Sequence, residues 1–146
     1  TQNIDNMHQE AGSHDVIEYH GNSKWLICNS CGERYEIADV SLDSLPPRCA
    51  SDSSVLKPDF VFFGEGIPQE AASRSVEEAS MADVLLIIGT TGEVMPAGMI
   101  PSIAKSNGAT LIEINPERSA FTHSLTDLFL KGPAAQISQR LDSYLF

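Results

Sequence analysis

Three cysteines and an aspartate in this chain are grouped as a metal site would group them. Cys28-x-x-Cys31, 17 intervening residues and Cys49-x-x-Asp52 have the spacing of a four-ligand zinc ribbon whose last cysteine is replaced. Two turns that each offer two ligands can close a tetrahedron. Aspartate can supply an oxygen ligand at roughly 2.0–2.2 Å, so three thiolates and the Asp52 carboxylate form a chemically possible set. Three thiolates with a water would also complete it. Three unmetallated thiols are the bland alternative, which the paired spacing opposes. The thiolates already neutralise a divalent ion and nothing adjacent resembles a general base over an open position, so Zn2+ is expected to be structural. Two other groups suit small polar ligands. Gln2, Asn3 and Asp5 combine amide donors and acceptors with one carboxylate, a set fitted to a carboxamide and a ribose, although an amino-terminal capping turn would use the same residues. Gly89, Thr90 and Thr91 offer small residues and hydroxyls that can approach a phosphate or ribose, or simply make a turn.

These groups need elements to hold them. Residues 16–20 alternate apolar and polar and predict a short strand ending at Gly21. Residues 24–58 set the cysteines among Asn, Ser, Asp, Gly and Pro with little periodicity, a loop-rich excursion that needs a staple. The run 59–63 predicts a buried strand stopped by Gly64. Ala72, Val76 and Ala79 at helical spacing after Pro68 predict an amphipathic helix over 68–82. The branched apolar run 84–88 predicts a strand covered on both faces. A helix over 96–106, with Met99, Ile100, Ile103 and Ala104 on one side, ends at Asn107-Gly108. Strands follow at 110–114 and 127–130, then a final helix with Ile137, Leu141 and Leu145 as its buried stripe. This alternation predicts an α/β fold, a doubly wound sheet with parallel strands. Ligands of such sheets bind beyond the carboxyl ends of the strands. The loops 89–92 and 115–117 both lie at such ends.

Composition narrows the class. The chain has 146 residues, 42% of them hydrophobic, enough for one domain with a core and a small appended module. Nine Lys+Arg against 20 Asp+Glu give a net charge of −11. That opposes a nucleic-acid partner, whose phosphates need a basic footprint, and favours a basic peptide. No apolar run approaches the roughly 18 residues that span a bilayer and no leader opens the chain. No membrane partner is therefore expected, and a cytoplasmic location is. Three locally grouped cysteines agree with a reducing compartment. The polar start at Thr1, without a methionine, is that expected of a fragment or a processed chain.

With these residues in place, the sequence resembles the sirtuins over essentially its whole length. The matching segments are Thr1-Gln2-Asn3-Ile4-Asp5, Glu18-Tyr19-His20-Gly21, the paired cysteines, Leu56-Lys57-Pro58-Asp59, Phe63-Gly64-Glu65, Gly89-Thr90-Thr91, Ile114-Asn115 and Gly132-Pro133-Ala134. Each is weak alone; their order and spacing together are specific. Two departures are local. Asp52 stands where the family has a fourth cysteine, and Thr91 where it usually has serine, which keeps the hydroxyl. The third is large: the family's glycine-rich loop and its acidic-aromatic-arginine segment have no counterpart here. The chain is therefore expected to be the C-terminal part of the catalytic core and to be impaired in activity by itself.

The resemblance implies a partial Rossmann-like, doubly wound parallel sheet with a small zinc-ribbon module inserted. Residues 1–23 would be a catalytic-loop and strand segment, 24–58 the zinc module, and 59–146 the C-terminal part of the NAD-binding domain. It implies an NAD-dependent protein-lysine deacylase acting on acylated-lysine proteins or peptides and releasing nicotinamide, lysine and O-acyl-ADP-ribose. In that chemistry the acyl oxygen attacks ribose C1′ as nicotinamide leaves, and His20 then serves as general base on the ribose hydroxyls. Imidazole suits the role because it ordinarily titrates near neutrality. His8, His14 and His123 lack such context and are expected at the surface. Gln2, Asn3, Ile4 and Asp5 would surround the nicotinamide. Gly89, Thr90 and Thr91 would meet phosphate and ribose, Asn115, Pro116 and Glu117 the adenosine ribose, and Ala134 the adenine. Val61, Phe63, Gly64 and Glu65 on one side and Gly92-Glu93-Val94 on the other would edge a groove for the substrate as an added strand. Val61 would offer its carbonyl to the lysine Nε and Phe63 would wall the acyl channel. The competing class is a non-catalytic, zinc-stapled module that binds acylated peptides and needs a missing amino-terminal segment.

Overall fold

The structure, a computed structural model, describes residues 1–145, with side chains to 144. It divides into two compact units, Thr1–Ala72 and Ser73–Phe146.

The first unit opens with an extended segment and a short helix α1 (Met7–Glu10), then strands β1 (Gly21–Cys28), β2 (Arg34–Glu36) and β3 (Leu56–Phe60). They form an antiparallel sheet in the order β2-β1-β3, registered by Ile27 opposite Arg34 and Cys28 opposite Leu56. Pro58, which has no N–H to give a ladder, is tolerated because β3 is an edge strand. The core beneath this sheet is only Leu26, Cys28, Cys49 and Leu56, with Tyr35 and Val40 packed against it.

Two sequence expectations fail here. The strand predicted over 16–20 is absent, and β1 instead begins at Gly21, where that strand was to end. Tyr19 N–H donates to the Thr1 carbonyl at 2.9 Å and Gly21 N–H to the Glu18 carbonyl at 3.0 Å, so these groups are committed to the amino-terminal segment and a turn. The 24–58 excursion is loop-rich as expected, with strand only at 24–28, 34–36 and 56–58. The run 59–63 is not a buried strand: β3 stops at Phe60, and Phe62 and Phe63 are 45% and 102% exposed. The chain turns there because Glu65 N–H donates to the Phe62 carbonyl and the Glu65 carboxylate takes Phe62 N–H, both at 3.0 Å.

Helix α2 (Gln69–Met81) leads into β4 (Val84–Ile88), a 3-10 turn over Ala97–Met99, α3 (Ile100–Ser106), β5 (Thr110–Asn115), β6 (Leu128–Lys131) and α4 (Ala134–Leu145). The strands are parallel in the order β4-β5-β6, so the α/β architecture expected from the sequence is present. Helix α3 starts later than the predicted 96–106, with Pro101 in its first turn, and it ends at Asn107 before Gly108 at φ 97. Ala79, Ile87, Ala104, Ala109, Leu111 and Phe121 make the core. The small alanines let α2 and α3 lie close on one face of the sheet. Ala79 is buried but Val76, expected on the same stripe, is 43% exposed. On α4, Ile137 and Leu141 are half-buried, and the Leu145 side chain lies outside the described residues. No helix among the described residues is long and apolar enough to cross a membrane.

Burial of β4 on both faces is not seen among the described residues. Val84, Leu86 and Ile88 alternate with Leu85 and Ile87 and are 54%, 51% and 46% exposed. In register, Leu86 stands beside Ile112 and Ile112 beside Leu128, and Leu128 is also exposed. Helices α2 and α3 cover the other face, through Ala79 and Ala104. Ile87→Ala should therefore cost about 2–5 kcal/mol in urea unfolding, against less than about 1 kcal/mol for Leu86→Ala. Leu86→Lys should reduce self-association of the chain in light scattering. Equal losses from the two alanine variants would show that the exposed row is covered in solution.

Candidate functional site

In the first unit the amino-terminal segment is stitched to the residues before and within β1. The Thr1 ammonium donates to the Ile17 carbonyl at 2.8 Å, and Ser23 gives both N–H and hydroxyl to the Ile4 carbonyl at 2.9 and 2.7 Å. Asp5 caps the start of α1 by accepting Met7 N–H at 3.1 Å. Asn22, buried, donates to the Asn6 and Glu18 side chains and accepts Lys24 N–H. Gln2 and His20 meet directly: His20 Nδ1 is 3.1 Å from the Gln2 carbonyl oxygen. A carbonyl can only accept, so the proton is assigned to Nδ1 and the lone pair to Nε2. The following Gly21 has φ 74, and a Cβ there would lie 2.4 Å from the Asp59 carbonyl, so glycine lets β3 cross immediately beside His20. Val61 N–H donates to the His20 carbonyl at 2.9 Å, which joins Val61 to the same cluster. Phe63 points to solvent. Gly64 has φ 88, and the Glu65 carboxylate is held by Lys57 Nζ at 2.6 and 2.7 Å.

Cys28, Cys31, Cys49 and Asp52 bring one ligand atom each to within 4.8 Å of one another. The Cys31 and Cys49 sulfurs are 3.6 Å apart, and Cys28 Sγ is 3.6 Å from both Asp52 oxygens. A tetrahedral ion with Zn–S of about 2.3 Å and Zn–O of about 2.0–2.2 Å sets its ligand atoms about 3.5–3.8 Å apart, so the donor set fits. Its electrostatics agree. The Glu33 backbone N–H favours a Cys31 thiolate, but desolvation and the Cys28 and Cys49 sulfurs push that thiol up to about 11. A divalent cation among the ligands would relieve the crowding. The Ser54 backbone N–H, followed by the Ser30 hydroxyl, holds Asp52 well below the usual carboxylate range, so it is an anion ready to ligate. Two neighbours went unread in the sequence. Tyr35 Oη lies 3.2 Å from Cys49 Sγ and hydrogen bonds Glu33 at 2.6 Å; its hydroxyl is the main cause that lowers the Cys49 thiol.

In the second unit, parallel neighbours place three loops at one edge of the sheet. Gly89 N–H donates to the Ile114 carbonyl at 3.1 Å and Gly132 N–H to the Asn115 carbonyl at 3.1 Å. Asn115 Nδ2 donates to the Thr90 carbonyl at 2.7 Å. Thr91 is tied instead to Ala120, whose N–H reaches the Thr91 carbonyl at 2.9 Å. Gly92 is buried, and a Cβ on it would lie 2.6 Å from the Phe121 ring; a Cβ on Gly98 would lie 2.8 Å from the Gly92 carbonyl. Thus Gly89, Thr90, Thr91 and Asn115 form one cluster. Pro116 and Glu117 continue it as exposed residues, Ala134 opens α4 at the same edge, and Val94 is 44% exposed just past the turn. Ser119, Ala120 and Phe121 are contributors that the sequence did not single out.

A four-donor cysteine–aspartate cluster in one unit and turns at the carboxyl ends of parallel strands in the other are features of an α/β protein with a metal-ready module. Comparison with known proteins narrows this. The family model described as "Sir2 family" matches residues 1–96. NAD-dependent protein deacylase 2 of Pyrobaculum aerophilum is 48% identical over 97% of this chain and 56% of its own length. The NAD-dependent protein deacylase of Aquifex aeolicus is 42% identical over 99% of this chain and 60% of its own. A solved Sir2–p53 peptide–NAD+ complex superposes with a TM-score of 0.92 at 32% identity, covering 98% of this chain and 60% of that one. The chain belongs to the Sir2 family. It spans 56–60% of the length of these relatives.

Two predictions follow from these geometries. If Asp52 is the fourth ligand, Asp52→Cys keeps the metal and tightens it, because a soft thiolate replaces a carboxylate at the same spacing. Asp52→Ala should lose zinc faster to a chelator and loosen the 28–52 turns in proteolysis. Identical zinc content and release in Asp52→Ala would give the position to water or another residue. The second concerns acid. Burial alone would raise the Glu113 carboxyl, but hydrogen bonds from Ser119, Thr126 and Thr122 outweigh it and hold it below its ordinary value of 4.5. A group depressed in the folded state stabilises above its unfolded pKa and loses that contribution as pH falls through its folded one. The melting temperature should therefore decline below about pH 4.5, and less steeply in Glu113→Gln.

Proposed function

We propose that this chain carries the general base and the dinucleotide-facing turns of an NAD-dependent protein-lysine deacylase. The observation that carries this reading is the His20 ring, whose Nδ1 hydrogen bond to Gln2 leaves Nε2 as the basic nitrogen, in a segment matched by the Sir2 family model. In the balanced reaction, acyl-lysine, NAD and water give lysine, nicotinamide and O-acyl-ADP-ribose. NAD supplies a ribose carbon that becomes electrophilic as its bond to nicotinamide breaks. His20 Nε2 takes the proton from a ribose hydroxyl so that its oxygen can attack the acyl carbon. Gln2, Asn3, Ile4 and Asp5 hold the carboxamide and ribose on the side tied to His20. Gly89, Thr90 and Thr91, with Asn115, Pro116, Glu117 and Ala134, receive the phosphates and adenosine. Val61, Phe63, Gly64, Glu65 and Val94 edge the peptide, and exposed Phe63 is the apolar wall offered to the acyl chain.

Zn2+ held by Cys28, Cys31, Cys49 and Asp52 would fix the fold of residues 24–58 and take no part in the chemistry. The domain reading stays that of segments 1–23, 24–58 and 59–146. Three free cysteines support a reducing, cytoplasmic setting. The solved Sir2 complex with a peptide and NAD+ supports an acylated peptide as partner, and the charge of −11 favours a basic one.

Incubation with NAD and an acetylated peptide should release nicotinamide and deacetylate the peptide. His20→Ala should lower turnover by a factor on the order of 10²–10⁴ while still binding the peptide. Deacylation by that variant at the parental rate would remove His20 from the mechanism. Peptide binding by the parent with no nicotinamide release would favour the non-catalytic binding module instead.

A further inference from the structure

Glu113 sits in β5 between Ile112 and Ile114 with none of its surface exposed, and no step above uses it. No cation neutralises it among the described salt bridges. Its oxygens are met chiefly by hydroxyls, Thr122 Oγ1 at 3.1 and 2.9 Å and Thr126 Oγ1 at 2.9 Å, with Ser119 and the Asn115 amide also donating. All three hydroxyls belong to the irregular segment 116–127 that joins β5 to β6. A carboxylate is an acceptor only, so it can take several hydroxyl protons at once. An amide in its place would turn two donors toward the same hydroxyls.

The other side of that segment touches the turn after β4. Ala120 N–H donates to the Thr91 carbonyl, and the Phe121 ring fills the space over Gly92. Phe121 is itself 5% exposed, and its carbonyl takes the N–H groups of Ser124, Leu125 and Thr126 at 2.9–3.1 Å. Glu113 thus grips the segment from inside the sheet, and the segment grips the turn.

We propose that Glu113 is a positioning residue: its buried carboxylate fixes segment 116–127, which through Ala120 and Phe121 sets the backbone of Thr90, Thr91 and Gly92 in the shape that receives a dinucleotide. The dinucleotide half rests on the function proposed above; the clamp itself does not.

The test uses the whole chain, with Glu113→Gln, the near-isosteric Thr122→Val, and Ile87→Val as a core-packing control. Amide exchange at Ala120 is read against the Ala104 amide within α3, and ADP-ribose affinity is measured by calorimetry. Both clamp variants should speed Ala120 exchange about tenfold relative to Ala104 and weaken ADP-ribose about tenfold, the scale of one lost buried hydrogen bond. Ile87→Val should change neither ratio, although it lowers the melting temperature. If Glu113→Gln does not fold, Thr122→Val carries the same expectations. Parental exchange at Ala120 in a folded clamp variant overturns the proposal. Faster exchange with unchanged ADP-ribose affinity overturns the positioning role and leaves only a loop anchor. A parent that does not bind ADP-ribose refutes the dinucleotide reading alone, and the exchange ratio then still decides whether the clamp exists.

Discussion

Three sulfurs and a carboxylate held within 4.8 Å of one another set the condition on which the first unit depends. Side chains of this kind resist ionising side by side, and the residues that bring them together offer little in return, since the core below is four side chains. A sheet of three short strands is marginal at that size. A divalent ion reverses the sign of the problem by turning mutual repulsion into four attractions. The turn after β1 and the turn before β3 are then tied at one point. Because His20 immediately precedes β1 and Cys28 ends it, order at the ligand turns and order at the imidazole are joined through one strand.

The second unit solves a different problem. Parallel neighbours deliver their loops to one edge, but delivery does not fix shape, and the loops 89–92 and 116–127 contain no regular ladder. Their backbone groups are satisfied by one another and by side chains: Asn115 to Thr90, Ala120 to Thr91, and three hydroxyls to Glu113. A buried carboxylate without a cation is tolerated here because its desolvation is met by short, pointed donors.

Much of the second unit could be read directly from the sequence. A branched run such as 84–88 can hardly be anything but a strand, and Asn107-Gly108 marks the end of α3 unambiguously. What the run could not reveal is how many of its faces this chain covers, because continuous apolar character records an environment and not its supplier. In the first unit local signals misled. Gly21 looks like the end of a strand and is the beginning of one; a glycine at φ 74 serves either, and the choice is made by Thr1 and Asp59, distant in sequence. The alternation of β1 is hidden because buried Asn22 stands in its row. The ligand pairs were legible because metal spacing is local, whereas Tyr35 and Glu33 reach Cys49 only through the fold. Glu113 left one readable trace, a charge inside an apolar strand, which only the structure explains.

Gly92 and Gly98 constrain each other. The space that a side chain at 92 would need belongs to the Phe121 ring, and the space needed at 98 belongs to the Gly92 carbonyl. Neither position can drift alone, and a smaller residue at 121 would leave position 92 at φ 77, where glycine is favoured, and would not relieve 98. Over evolutionary time this stretch can be inherited or abandoned but hardly adjusted. Substitution is therefore freer at its open neighbours, among them exposed Thr91 and Glu93.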